Sequence, residues 1–543
     1  MARFATQVEA FYWAHLDFRP DRGVSLGHHQ YDGKLPDRSP EAIEAEIARL
    51  NLARANFGAA PSDQLDDVGR LERDILLVEI QKQLFDLEVL RSPAENPLFY
   101  VGALSLAPYV TRDYAPIEDR ARAIIALSDA AGAYVGQTMS NLAQALPRTW
   151  LDNALLQTRG MISFAKTDVV KELSGIADES VAGSLTESLG RYRAALGQLE
   201  TFLAERLDSA SDSFALGEAM FLRMLRDQEG IDVTLAQLEE IGLFDLARNL
   251  DALEAAARAI EPNRDVKKVV AGVNTDRPTV DTMLEEASEQ ATAMRQLLID
   301  EDLVTIPSDD IAEVRISPPF MRWNSAFLSS AGPFEKRALP GLYYISPPDP
   351  AWSRKEQREY IPSRGDLLFT TVHELWPGHF LHSLHRKKHA SKVVKSFCSY
   401  SMSEGWAHYA EELMWEHGAG DGDPRYHIGQ LGDALLRNAR FLSAIGLHAK
   451  GISVAEAREI FETEALADAR TARQQALRGT FDPGYLNYTL GKLMIKKLRD
   501  DWRKKKAGEF SLKAFHDEFL SYGCAAIPVI RERMLGHQGG PAI

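Results

Sequence analysis

Thr370-Thr371-Val372-His373-Glu374-Leu375-Trp376-Pro377-Gly378-His379-Phe380-Leu381-His382 is the stretch on which the reading of this chain turns. In the pattern H-E-x-x-H, one helix presents two histidines to a zinc ion. The glutamate beside the first histidine polarises the water. Here the first half is intact, but the position four after His373 is Pro377, which has no ligating atom. His379 falls six residues on, off-register for a straight helix. Pro377-Gly378 is a helix breaker followed by a permissive residue, so a kink there can return His379 to the side of His373. His382 and His385 share roughly one helix face with His379, which makes His382 a rival for the second ligand position.

About thirty residues later comes Ser401-Met402-Ser403-Glu404-Gly405-Trp406-Ala407-His408-Tyr409-Ala410-Glu411-Glu412. The spacing predicts a second helix with Glu404, His408 and Glu411 on one face. A catalytic zinc takes three protein ligands and keeps one open position. Two histidines from the first segment and Glu404 from the second would satisfy it. Glu411 or His408 could then hold the ligands through hydrogen bonds.

The surrounding composition is that of an ordinary globular protein of 543 residues, 45% apolar and 26% charged. A net charge of −16 argues against nucleic acid or an anionic membrane as partner. Two cysteines, Cys398 and Cys524, allow one disulfide at most, and packed free thiols are the default. No apolar run is long enough to span a bilayer, and the first residues lack the pattern of a signal peptide. A cytoplasmic protein is therefore expected.

Outward from the motif, the class expected is mainly α. Residues 1–303 form a helical scaffold, with amphipathic stretches at 63–90, 116–146, 185–207, 234–260 and 279–300. Ser39-Pro40-Glu41 starts a further helix. Residues 14–40 are expected to be irregular, with His28-His29 packed locally. Residues 304–543 form a catalytic region, continuous with the scaffold as one structural unit. It opens on two strand candidates, 311–317 and 342–346, whose sheet edge could receive an extended peptide. Tyr343 and Tyr344 lie on the second of them. Helical stretches follow at 424–450 and 453–476. Then Asp482-Pro483-Gly484 turns into a helix carrying Tyr485 and Tyr488. Tyr488 is a candidate for stabilising an oxyanion. Tyr343, Tyr344, Tyr485 and Arg473 are candidate substrate contacts.

His-Glu-x-x-Pro-Gly-His followed by Glu-Gly-Trp-Ala-His-Tyr-Ala-Glu resembles the bacterial family catalogued as domain of unknown function 885. The segments Leu26 to Asp37 and Asp482 to Gly491 are similar to that family's opening and closing motifs. The resemblance implies a zincin-like fold, thermolysin-like or oligopeptidase-like in its catalytic region. It implies His373, His379 and Glu404 as metal ligands and Glu374 as general base. Leu375, Trp376 and Phe380 are bulkier than that pattern leads one to expect, which bears on substrate preference.

The expected activity is that of a zinc metallopeptidase with one Zn2+ per chain, another divalent ion being compatible with N/O ligands. Its substrate is a peptide or small amide. A non-peptidase metallohydrolase uses the same residues. A metal-free helical binding protein with a degenerate site is the reading that Pro377 favours. The oligomeric state is left open.

Overall fold

The structure, a computed structural model, describes residues 2–322, 324–536 and 540–543. The chain divides into two compact units, Met1–Phe214 with Ala331–Leu339, and Ala215–Ser330 with Pro340–Ile543. The boundary expected at 303 is therefore displaced to 214. The change of composition near 304 marks the arrival of strands, not the end of a core, because helices from 215–303 pack into the C-terminal half.

The first unit is helical: α1 (Ala2–Phe18), α2 (Pro20–Leu26), α3 (Pro40–Gly58), α4 (Asp67–Leu84), α5 (Ile117–Asn141), α6 (Arg148–Lys166) and α7 (Glu179–Glu205). Residues 14–26, expected to be irregular, are largely helical. Pro20 begins α2 and Gly27, at φ 91°, ends it. The start of α3 is as expected, with the Ser39 hydroxyl accepting from Ala42 N–H at 3.3 Å. In α4 the buried stripe is Leu71, Ile75, Leu76, Ile80 and Leu84, and Val68 falls outside it. His28 and His29 are packed locally. Tyr12 and His28 Nε2 are 2.7 Å apart. His29 is stacked on Tyr114 and lies 3.1 Å from Asp32 and 2.9 Å from Glu335.

The second unit contains α8 (Glu218–Glu229), α9 (Leu235–Ile260) and α10 (Met283–Asp300). Then come β1 (Ala312–Ile316), β2 (Ala326–Ser329) and β3 (Gly341–Ile345). The sheet order is β1-β3-β2, with β1 parallel and β2 antiparallel to the fully buried β3. The two expected strands are both present. They are not a hairpin, because a third strand intervenes and β1 pairs with β3 in parallel.

Nine further segments build the site and its support. They are α11 (Arg364–Glu374), α12 (His379–Lys388), α13 (Tyr400–Glu416), α14 (Pro424–Ile445), α15 (Val454–Glu464), α16 (Ala469–Phe481), α17 (Asn487–Lys506), α18 (Leu512–Ser521) and a closing helix Ile527–Leu535. The stretch 453–476 is thus two helices, with residues 465–468 between them. Helices α13 and α17 pack closely where Gly405 meets Gly491; a Cβ on Gly491 would collide with the Ser401 carbonyl. Leu246 and Leu253 of α9 bury against Ile428, Leu431 and Leu435 of α14. Cys398 and Cys524 form a disulfide with their Cα atoms 4.6 Å apart, so neither is the free thiol expected. The bond sits at the start of α13, where Ser399 N–H donates to the Cys524 carbonyl at 2.9 Å. No helix among the described residues is long and apolar enough to cross a membrane.

A buried ion pair ties α9 to this core. Asp245 and Lys492 are both fully buried, 3.0 Å apart, with Glu412 3.6 Å from the same ammonium. Asp245 also accepts from Asn438 Nδ2 at 2.9 Å. Removing Asp245 would leave the buried Lys492 ammonium with only the more distant Glu412, and breaking such a buried pair costs about 3–5 kcal/mol. We therefore expect Asp245→Ala to destabilise the second unit by an amount of that order in urea unfolding. A change below about 0.5 kcal/mol, the size of an ordinary surface substitution, would contradict this packing.

Candidate metal centre

Helix α11 is started by a capping box between Ser363 and Asp366 and runs until His373-Glu374. It stops there because Pro377 cannot continue it. The Trp376–Pro377 peptide is cis. Gly378 then passes so close to the preceding helix that any Cβ would collide with the His373 carbonyl. Gly378 N–H donates to the Val372 carbonyl at 3.1 Å, and α12 starts at His379. This reversal sets the His379 ring edge-to-face with that of His373, their centroids 4.8 Å apart.

Helix α13 supplies the third group. Glu404 Oε2 lies 3.4 Å from His373 Nε2 and 3.4 Å from His379 Nε2. Among the described residues, these three form the one group of three or more His, Cys, Asp or Glu that could hold a metal ion. Glu404 Oε2 is buried without a hydrogen-bond partner. The spacing fits a cation: a tetrahedral ion about 2.0–2.1 Å from each donor sets the donors about 3.4 Å apart. Burial alone would raise the Glu404 carboxyl. The facing His379 and His373 outweigh it and hold the group well below the usual carboxylate range.

Behind the ligands is a second layer of charge. His373 Nδ1 donates to Glu411 Oε1 at 2.6 Å, and His408 Nδ1 approaches Glu411 Oε2 at 3.1 Å. Arg437 of α14 lies 3.0 Å from Glu411 and 3.0 Å from Asp433. Burial opposes ionisation of Glu411, but Arg437 and then His408 hold it well below its ordinary value. An ionised Glu411 would keep the Nδ1 proton in place once His373 gives up the one on Nε2, the nitrogen turned to the ligand cluster. His408 is buried and lowered to about 4, and so neutral. His382 points elsewhere: its Nε2 donates to the Gly523 carbonyl at 3.0 Å, and burial lowers it to about 3. The structure thus groups His379, not His382, with His373.

Glu374, buried, accepts from the Leu328 N–H at 2.8 Å. That bond joins the residue after the first histidine to the edge strand β2. Tyr488 stacks on His373 with centroids 6.3 Å apart, facing the same cluster. Tyr343 is buried on β3 beside Thr371, at 3.3 Å, and Tyr344 packs on Phe327. Tyr485 is fully buried against Gly479. Arg473 is exposed on α16, and the guanidiniums near Tyr488 are those of Arg437, Arg440 and Arg478. Sequence reasoning does not single out Arg437, Arg440 or the Leu328 N–H. A signal exists in Arg437-Asn438-Ala439-Arg440, four residues with two cations set between Leu435 and Phe441.

The protein is mainly helical with a small three-stranded sheet. The chain belongs to the bacterial family of unknown function DUF885, which matches residues 20–534. Two solved structures share the fold. A "putative lipoprotein of unknown function" from Shewanella oneidensis is 22% identical, with a TM-score of 0.81 over 98% of this chain and 99% of its own. A "putative lipoprotein" from Colwellia psychrerythraea is 15% identical, with a TM-score of 0.83 over 98% of each chain. The chain is also 29% identical over 206 residues to tyrosine-protein phosphatase non-receptor type 23 of Rattus norvegicus. That match takes in 37% of this chain and 13% of the relative's length.

Metal-free His373, facing Glu404 and Glu411, is pushed up to about 10 although burial alone would lower it. It therefore holds its extra proton at pH 7 and must lose it to bind a cation. Titration calorimetry of Zn2+ in buffers of different ionisation enthalpy should show release of close to one proton at pH 7. The release should fall and the apparent affinity rise as pH approaches 10. Proton-neutral, pH-independent uptake would contradict the assignment of His373.

Proposed function

We propose that the chain is a metal-dependent hydrolase of peptide or small amide bonds. The observation that carries this is the Glu404 Oε2, without a hydrogen bond and 3.4 Å from each of two imidazole nitrogens, with the Glu374 carboxylate on the residue next to one of them. A divalent cation held by His373, His379 and Glu404, most simply Zn2+, would supply Lewis-acid polarisation of water and of the carbonyl.

The chain's own groups divide the remaining work. Glu374 takes a proton from the attacking water and returns it to the leaving amine. The Leu328 N–H occupies one of its oxygens, Oε2, and so leaves the other for that transfer. Tyr488, whose phenol is raised by burial and by the Glu404 charge, stays protonated and can donate a hydrogen bond to the developing oxyanion. Leu328 points its N–H away from β3, so the outer edge of β2 borders the general base. An extended substrate could pair there. That edge favours a peptide over a compact small molecule.

The expectation of a metal-free scaffold rests on Pro377. The position of His379 beside His373 and Glu404 supports the metal-dependent reading over it. The Cys398–Cys524 disulfide supports an oxidising compartment over the cytoplasm expected from the sequence, in keeping with the word lipoprotein in the names of both similar structures.

Glu374→Gln should keep its Zn2+ and its fold while losing about 10²–10⁴-fold in kcat on any peptide the wild type cleaves. Undiminished turnover in that variant would refute the role of Glu374.

A further inference from the structure

Three arginines surround Tyr488, and only two are balanced by carboxylates. Arg437 is held between Glu411 and Asp433. Arg478 is paired with Asp482 at 2.8 Å and donates to the Tyr400 hydroxyl at 3.1 Å. Arg440, one turn beyond Arg437 on α14, has no carboxylate within ion-pair distance among the described residues, although only 8% of it is exposed. Its Nε donates to Gln475 Oε1 on α16 at 2.9 Å. Among the described residues, neither terminal nitrogen has an acceptor.

The guanidinium carbon lies 4.8 Å from the centre of the Tyr488 ring. That ring is the one that stacks on the candidate ligand His373. The nearby phenols cannot supply a countercharge, because burial raises both Tyr400 and Tyr488 and keeps them neutral. Arg440 itself stays charged, since a guanidinium does not lose its proton in a protein. A largely buried cation without a countercharge is expensive, and an anion arriving with the substrate would offset that cost. Gln475 fixes one edge of the guanidinium and leaves the two terminal nitrogens, the pair that grips a carboxylate in two-point fashion.

We propose that Arg440 binds the free α-carboxylate of the substrate, so that the enzyme removes residues from a C-terminus or splits dipeptides and N-acyl amino acids, and does not cut internal bonds. This rests on the hydrolase reading. Arg440 and the candidate ligand His373 both lie against the Tyr488 ring, 4.8 Å and 6.3 Å from its centre.

The test uses acetyl-trialanine as free acid and as C-terminal amide. Binding is measured by calorimetry on Zn2+-loaded Glu374→Gln protein, which does not consume either probe. The acid should bind about 10–100-fold more tightly than the amide, the range of a charge-assisted hydrogen bond. Adding Arg440→Gln should abolish that preference, and Arg440→Lys should restore part of it. Circular dichroism on each variant establishes that it is folded. Equal binding of acid and amide, no binding of either, or a preference that survives Arg440→Gln would overturn the proposal. Cleavage by wild type is scored separately. Equal cleavage of both probes leaves the hydrolase reading standing without the anchor. Arg440-dependent binding of the acid with no cleavage of either probe leaves the anchor and removes the reaction.

Discussion

The close passage of Gly378 beneath the His373 carbonyl is the constraint on which the site depends. A helix continued through residue 377 would carry His379 off the face of His373. The chain instead stops, reverses within four residues and begins again at His379. Only a residue without a side chain fits where the backbone turns back, because a Cβ would meet the carbonyl oxygen. Trp406 secures the same turn from α13, its Nε1 donating to the Pro377 carbonyl at 2.8 Å. The helix that brings Glu404 therefore also holds the turn that brings His379.

The second requirement is charge. His373, Glu411 and Arg437 are buried, and Glu404 and Asp433, packed against them, are half-buried. Each would be costly alone, and they are tolerable as an alternating series of cation and anion. Glu411 is central to that series: it is fully buried and faces His373, His408 and Arg437 at once. The series also sets Arg440 apart. It shares a helix with Arg437 and a tyrosine ring with Arg478, yet lacks the carboxylate that each of them has.

Much of this arrangement is legible in the sequence. His373-Glu374 and the i, i+4, i+7 face of Glu404, His408 and Glu411 are periodic features, and helical periodicity survives folding. The second ligand is not decidable from periodicity, because His379 and His382 differ only in how the chain turns at Pro377-Gly378. That turn depends on packing against α13. Strand β2 escapes notice because Ala326–Ser329 is four residues, all half-buried, with no alternation to betray it. The unit boundary is misplaced by composition, which changes at 304, whereas membership of a core is decided by distant pairs such as Asp245 with Lys492. Two cations between Leu435 and Phe441 hint that Arg437 and Arg440 are buried, but their roles are set by what faces them, which the sequence does not show.

The proposed function requires His373, His379 and Glu404 together to hold one divalent cation. It is tested most directly by metal analysis of protein loaded with Zn2+ and then desalted, in wild type, His379→Ala and His382→Ala. Wild type and His382→Ala should each retain about one zinc per chain, and His379→Ala none. Wild type that retains no zinc, or loss of zinc in His382→Ala with retention in His379→Ala, would contradict it.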